Sequence, residues 1–225
     1  MTFSNINLTC PICGKEFESR EIASFYQEGA DLDTRPRGLM RRALITDSYH
    51  RCPSCNCVFI DEQEVLNMDK DYYNELLTQV NNEYSDDVKA WSILLAYSTY
   101  TLAIVDTSIT VQKFLEMCLD KVARLNNLIW ALDDENIDAI VERQEKIQWL
   151  RSILTVQLPT DFELFEDLQI MLMEEYRRIG EFNMVLNFYA NIEDPFKQKV
   201  VEFEKYLARN EDNSIHTLDE IEYEK

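Results

Sequence analysis

Two Cys-x-x-Cys pairs, Cys10-Pro-Ile-Cys13 and Cys52-Pro-Ser-Cys55, constrain this chain more than any other feature of it. Four thiols supplied by two tight turns can close on one tetrahedral metal ion, and the residue types and spacing are those of zinc. Each half repeats the same turn chemistry. A proline presets the start of the turn, and the residue after the second cysteine must accept a positive φ. Gly14 and Asn56 stand at those positions, and glycine and asparagine enter that conformation at least cost. The expectation is one structural zinc held by Cys10, Cys13, Cys52 and Cys55. A closed four-thiolate shell leaves no ligand position for water, so it supports a fold and not a hydrolytic reaction. A ribbon this small has little core of its own, and metal binding then supplies on the order of 10 kcal/mol of its folding free energy.

Two neighbours of the second pair compete as ligands. Cys57 follows it directly but stands where the chain leaves as a strand, which reads as a small buried side chain; His50 precedes it. Cys118 falls among Phe114, Leu115 and Leu119 and reads as a core thiol.

Short strands are expected around the knuckles, at residues 15–17, 22–26 and 58–60, with a charged loop at 31–38 and either a helical turn or a strand at 39–45. From Asp61 the apolar period changes from about two to about 3.6, and the rest reads as helix. Ser85 is an N-cap ahead of Asp86 and Asp87, and opens a central, nearly all-apolar helix over 86–105. Helices follow at 108–132 and 136–156. Thr160 and Glu163 form a capping box for a helix that Gly180 closes. A short helix at 182–191 and one beginning at Asp194-Pro195 complete the set, after a first helical stretch at 64–84. The fold class is therefore mainly α: a small N-terminal zinc ribbon followed by a bundle, or a tetratricopeptide-like array, of antiparallel helices. The expected division is a ribbon at 1–62, helices at 63–210 and an acidic tail at 211–225 without a core pattern.

Charge narrows the function. The formal net charge is −20, and residues 1–60 contribute nothing to it, holding seven basic and seven acidic residues. The helical remainder carries the whole excess and repels phosphate backbones and anionic membranes. That suits a protein partner, basic ones included, and no membrane. The acidic residues read as a solvated face. Arg35, Arg37, Arg41, Arg42 and Arg51, with His50, are the one basic concentration. They either contact nucleic acid or pair with neighbouring carboxylates and the acidic helices. Residues 1–8 lack the basic and apolar regions of a signal peptide, and the longest charge-free run, 90–105, is shorter than the ~20 residues a spanning helix needs. Paired cysteines without a leader point to a reducing, cytoplasmic setting. No glycine-rich phosphate loop or His-Glu-x-x-His helix occurs, and neither His50 nor His216 has a recognisable nucleophile and orienting acid, so no enzyme is expected.

Leu172, Tyr176, Gly180, Phe182 and Tyr189 fall on tetratricopeptide positions, with Val185 where that repeat has alanine. An ordinary helical hairpin would show the same pattern. Together with Cys10-Pro-Ile-Cys-Gly-Lys-Glu-Phe17, Asp31-Leu-Asp-Thr-Arg-Pro36, Arg51-Cys-Pro-Ser-Cys55, Tyr176-Arg-Arg-Ile-Gly-Glu-Phe182 and Ile215-His216-Thr217, the order of parts resembles an uncharacterised prokaryotic family in which a zinc ribbon precedes tetratricopeptide-like helices. The chain departs from that family at Asn56-Cys57, where glycine and an aromatic are usual. The resemblance implies zinc binding and helical scaffolding, and no reaction. The expected role is a non-catalytic scaffold or adaptor. The rivals are a nucleic-acid-associated factor docking through the ribbon, an acidic inhibitor or immunity-type protein, and a zinc hydrolase with an open ligand position.

Overall fold

The computed structural model describes residues 2–24, 49–60, 70–79, 84–103, 110–155, 165–216 and 220–221. Among these the fold is mainly helical with a small β N-terminus. Contacts divide the chain into two compact units, one ending at Ile137 and the other resuming at Asp138. The division expected at 62/63 does not coincide with this, because the knuckles share a unit with the first helices.

In the first unit, β1 (Thr2–Thr9) and β2 (Glu16–Ser24) form an antiparallel pair around the first knuckle, with Leu8 opposite Phe17 and Ile6 opposite Ser19. Strand β1 was not foreseen. Its signal is the alternation of Ile6 and Leu8 with exposed Asn5, Asn7 and Thr9, the period of a half-buried strand. The segments expected at 15–17 and 22–26 both overlap one strand, β2, as far as Ser24; residues 25 and 26 lie outside the described residues. The second knuckle joins β3 (His50–Arg51) to β4 (Val58–Phe59), also antiparallel. Phe17 meets Phe59 edge to face at 6.3 Å, and the His50 ring lies 5.6 Å from Phe59.

The helices of this unit are α1 (Lys70–Gln79), α2 (Asp86–Ala103) and α3 (Val111–Asp134). Ser85 caps α2 as expected, its Oγ accepting from the Val88 amide at 3.2 Å. The cap of α3 is Thr110, accepting from Lys113, two residues beyond the start read at Ser108. Leu94 and Tyr97 of α2 and Val122, Leu125 and Ile129 of α3 are all but inaccessible. Strand β4 is fastened to these helices by two tyrosines. Tyr73 of α1 accepts from the Val58 amide at 3.3 Å, and the Tyr97 hydroxyl of α2 donates to the Val58 carbonyl at 3.2 Å. Tyr97→Phe removes the second of these buried bonds. We expect it to lower unit stability by about 1 kcal/mol, read as a lower urea midpoint at unchanged slope.

In the second unit, α4 (Ile140–Thr155), α5 (Phe165–Arg178), α6 (Phe182–Leu186) and α7 (Pro195–Arg209) pack around α5. Every residue of α5 from Asp167 to Arg177 is buried. Gly180, at φ +79°, closes α5: its amide bonds the Arg177 carbonyl and the Glu181 amide bonds that of Tyr176, a Schellman motif. Asp194 caps α7 through the amides of Phe196 and Lys197, with Pro195 in the first turn. The tetratricopeptide pattern breaks here. Helix α6 stops at Leu186, and Tyr189 lies beyond it at 89% exposure, so the second helix of a regular repeat is not formed. The segment after α7 is not a free acidic tail either. Its first residues fold back, and Arg177 Nη1 donates to the carbonyls of Asp212 (3.0 Å) and Ser214 (2.8 Å).

The loop at 31–38, the segment at 39–45 and the capping box at Thr160 lie outside the described residues.

Candidate metal centre

The two knuckles are built alike, bond for bond. In the first, the Gly14 amide donates to the Cys10 carbonyl at 2.9 Å and the Cys10 amide to that of Lys15 at 2.9 Å. In the second, Asn56 donates to Cys52 at 2.9 Å and Cys52 to Cys57 at 2.8 Å. Gly14 and Asn56 sit at φ +70° and +57°, as the turn chemistry requires. Asparagine serves at the second knuckle where glycine serves at the first, because it tolerates this left-handed conformation.

Cys10, Cys13, Cys52 and Cys55 converge so that all four Sγ atoms lie within 4.8 Å of one another. Two cross-knuckle separations are 3.5 Å (Cys10 to Cys55) and 3.7 Å (Cys13 to Cys52). A disulfide would need about 2 Å. A tetrahedral ion with ligands at about 2.3 Å would set its sulfurs about 3.8 Å apart. The four side chains therefore fit one metal ion. Their burial fits it too. Cys10 and Cys52 are inaccessible, Cys55 is half-buried and Cys13 faces outward. Burial pushes the Cys10 and Cys55 thiols up, whereas a hydrogen bond from the Lys15 backbone brings Cys13 down to about 7. A cation held by these four residues would offset the cost of grouping four thiolates in this partly dry site.

The other sequence candidates do not join this group. His50 Nδ1 is 2.9 Å from Ser19 Oγ, and its ring packs on Phe59. Cys57 is fully buried, and burial pushes its thiol up to about 12. Cys118 is a buried thiol of α3. Arg51 reaches the first turn of α2, donating from Nη2 to the Asp86 carbonyl at 2.8 Å, while Tyr49 bonds the Asp87 carboxylate. Arg35, Arg37, Arg41 and Arg42 lie outside the described residues.

A second polar cluster was not anticipated. Glu175 of α5, 1% exposed, receives Arg143 Nη1 at 2.8 Å and Lys146 Nζ at 2.6 Å from α4. Arg177 Nε binds Glu204 of α7 at 2.7 Å, and both are equally buried. Several acidic residues read as a solvated face are thus interior. Glutamates at 174 and 175 followed by arginines at 177 and 178 gave the only hint, since α5 needs that polar face to meet both α4 and α7.

His216 stands between two carboxylates, Asp212 at 3.0 Å from Nε2 and Glu220 at 2.6 Å from Nδ1, with Ser214 Oγ also 3.0 Å from Nε2. The serine–histidine–acid order that the sequence did not suggest is present in outline. Asp212 nevertheless engages the same nitrogen that a serine nucleophile would need as its base, and the group reads as a local clasp.

Comparison with protein-family models, with curated proteins and with solved structures finds no match. No described helix is long and apolar enough to cross a membrane. The fold and the site define a class, a mainly helical protein with a four-cysteine centre able to hold a metal ion.

Proposed function

We propose that this chain is a zinc-stabilised protein–protein interaction module, a scaffold or adaptor without catalytic activity of its own. One observation carries the reading: the four thiols lie within 4.8 Å of one another, and as the whole shell of one tetrahedral ion they would leave nothing for water or substrate to occupy. The donor set suits zinc among available metals, since four thiolates favour a borderline-soft ion of tetrahedral preference. The same closed shell weighs against the hydrolase rival. Around α5, the helices present exposed Met184 and Phe196 and the segment after α6 presents Tyr189, and the −20 charge favours a basic partner. In this reading the chain works in the reducing cytoplasm and is akin to the ribbon-and-helix family it resembles, with the helical part forming a bundle.

Arg51 bears on the nucleic-acid alternative. Its guanidinium is held by Asp86 and packs 5.9 Å from the Tyr49 ring centre, so it supports internal pairing over phosphate binding.

The test is a mild pull-down of the tagged protein from its own host, with and without nuclease, identified by mass spectrometry. A stoichiometric protein partner that survives nuclease is the expected result. Loss of all partners after nuclease would overturn the scaffold reading. It would move the function to the basic N-terminal segment, where Arg41→Glu with Arg42→Glu should then abolish salt-dependent binding.

A further inference from the structure

The chain after α7 folds back on the second unit as a strap, residues 212–216. The Asp212 and Ser214 carbonyls accept from Arg177 Nη1 at 3.0 and 2.8 Å, and the His216 ring meets Phe203 of α7 edge to face at 5.8 Å. Arg177 is wholly buried, whereas Asn213, Ser214 and Ile215 are exposed. The strap therefore buries little apolar side chain, and its polar contacts decide whether it stays closed.

Those contacts fix the hydrogens on the His216 ring. Ser214 Oγ lies 2.5 Å from Asp212 Oδ1, and its one hydrogen goes to that carboxylate. The Asp212 carboxyl is held down to about 2, first by the Ser214 hydroxyl and amide and then by His216, so it only accepts. His216 Nε2 stands 3.0 Å from Ser214 Oγ and 3.0 Å from Asp212 Oδ2. Neither oxygen has a hydrogen to offer, so Nε2 is the donor. On the other side of the ring, Nδ1 stands 2.6 Å from Oε2 of Glu220, a half-exposed carboxylate. A neutral imidazole has one N–H and one lone pair. Either tautomer would set that lone pair against an acceptor oxygen.

We propose that His216 is an imidazolium pinned between Asp212 and Glu220, and that it latches the strap over Arg177 in a pH-dependent way. Both ring nitrogens then donate, and both bonds are charge-assisted.

The groups around the ring are few. Asp212 comes from the strap itself and Glu220 from the turn beyond it. From α7, Phe203 supplies an uncharged wall, and Glu204 is drawn toward ionisation by Arg177 and Arg178 of α5 and by His216. Three carboxyl groups thus favour a cation on the ring, two of them in direct contact.

The direction of the pH effect follows from proton counting. Histidine loses its second proton within the physiological range. Below that range both bonds stand. As pH rises through it, one ring nitrogen is left without a hydrogen against a carboxylate. The closed strap holds a proton that the open one releases, so opening increases with pH and brings water to Arg177.

Two measurements on the full chain test this. The chain has two histidines, His50 and His216, so one variant assigns the ring N–H signals in a proton NMR spectrum. At pH 6 the wild type should show two such signals from His216, sheltered from exchange by their bonds, and His216→Gln should lose both. A single sheltered ring proton, or none, overturns the proposal. The second is the rate of proteolysis within the strap, wild type against His216→Gln at the same pH. At pH 6 the variant should be cut about fivefold faster, within the reach of two partly exposed ion pairs, and by pH 8 the two rates should converge. A ratio equal at the two pH values overturns it.

Discussion

Cys13→Ser or Cys52→Ser is expected to abolish stoichiometric metal binding and to unfold both knuckles. The four sulfurs come from two turns that meet chiefly at the metal position, with Phe17 on Phe59 and Ser19 on His50 as the links between the hairpins. Removing one ligand forfeits a large part of an interaction worth on the order of 10 kcal/mol, more than such short strands can replace. The damage should not stop at the turns. Val58 is held at its amide by Tyr73 and at its carbonyl by Tyr97, so disorder at β4 loosens α1 and α2. Helices α4–α7 belong to the other compact unit and should keep their far-UV signal. Elemental analysis reports the metal, and a cobalt-substituted sample reports all-thiolate tetrahedral coordination through its charge-transfer bands. Full metal content in both variants would refute the four-thiolate assignment.

The second large effect is expected from Glu175→Gln. Burial by itself would push this carboxyl up, but Lys146 and Arg143 beside it hold it below the usual range. It is therefore a charged anion serving two cations in the interior. Neutralising it takes from the buried Arg143 and Lys146 the carboxylate they share, a change that costs about 3–5 kcal/mol. Burial already lowers the Lys146 pKa despite Glu175, so in the variant the lysine should shed its proton more readily. Urea denaturation followed at α4–α7 should show a sharply lower midpoint, partly recovered by adding Lys146→Met, which removes one buried cation. A variant as stable as the wild type would show that the pair contributes no net stability.

Much of the local structure was legible because its causes are local. Gly14, Asn56 and Gly180 mark positive-φ positions by residue type, Ser85 and Asp194 cap helices with their own side chains, and cysteine spacing picks out the four thiols that converge. Other features depend on partners far along the chain. Strand β1 alternates only weakly until β2 pairs with it. Tyr189 has the spacing of a repeat helix, yet α6 ends before it. The acids of α5 look like a solvated face until the cations of α4 and the arginine–glutamate pair with α7 surround them.

By itself, then, the sequence determined four converging cysteines able to hold a metal ion and a helical remainder, because turn propensity, ligand chemistry and apolar period all act within a few residues. Only the tertiary structure decided that the knuckles share a unit with the first helices, and that Glu174, Glu175, Arg177 and Glu204 lie inside the second. Burial of a charged group is a property of everything packed around it, and no short stretch of chain carries that information.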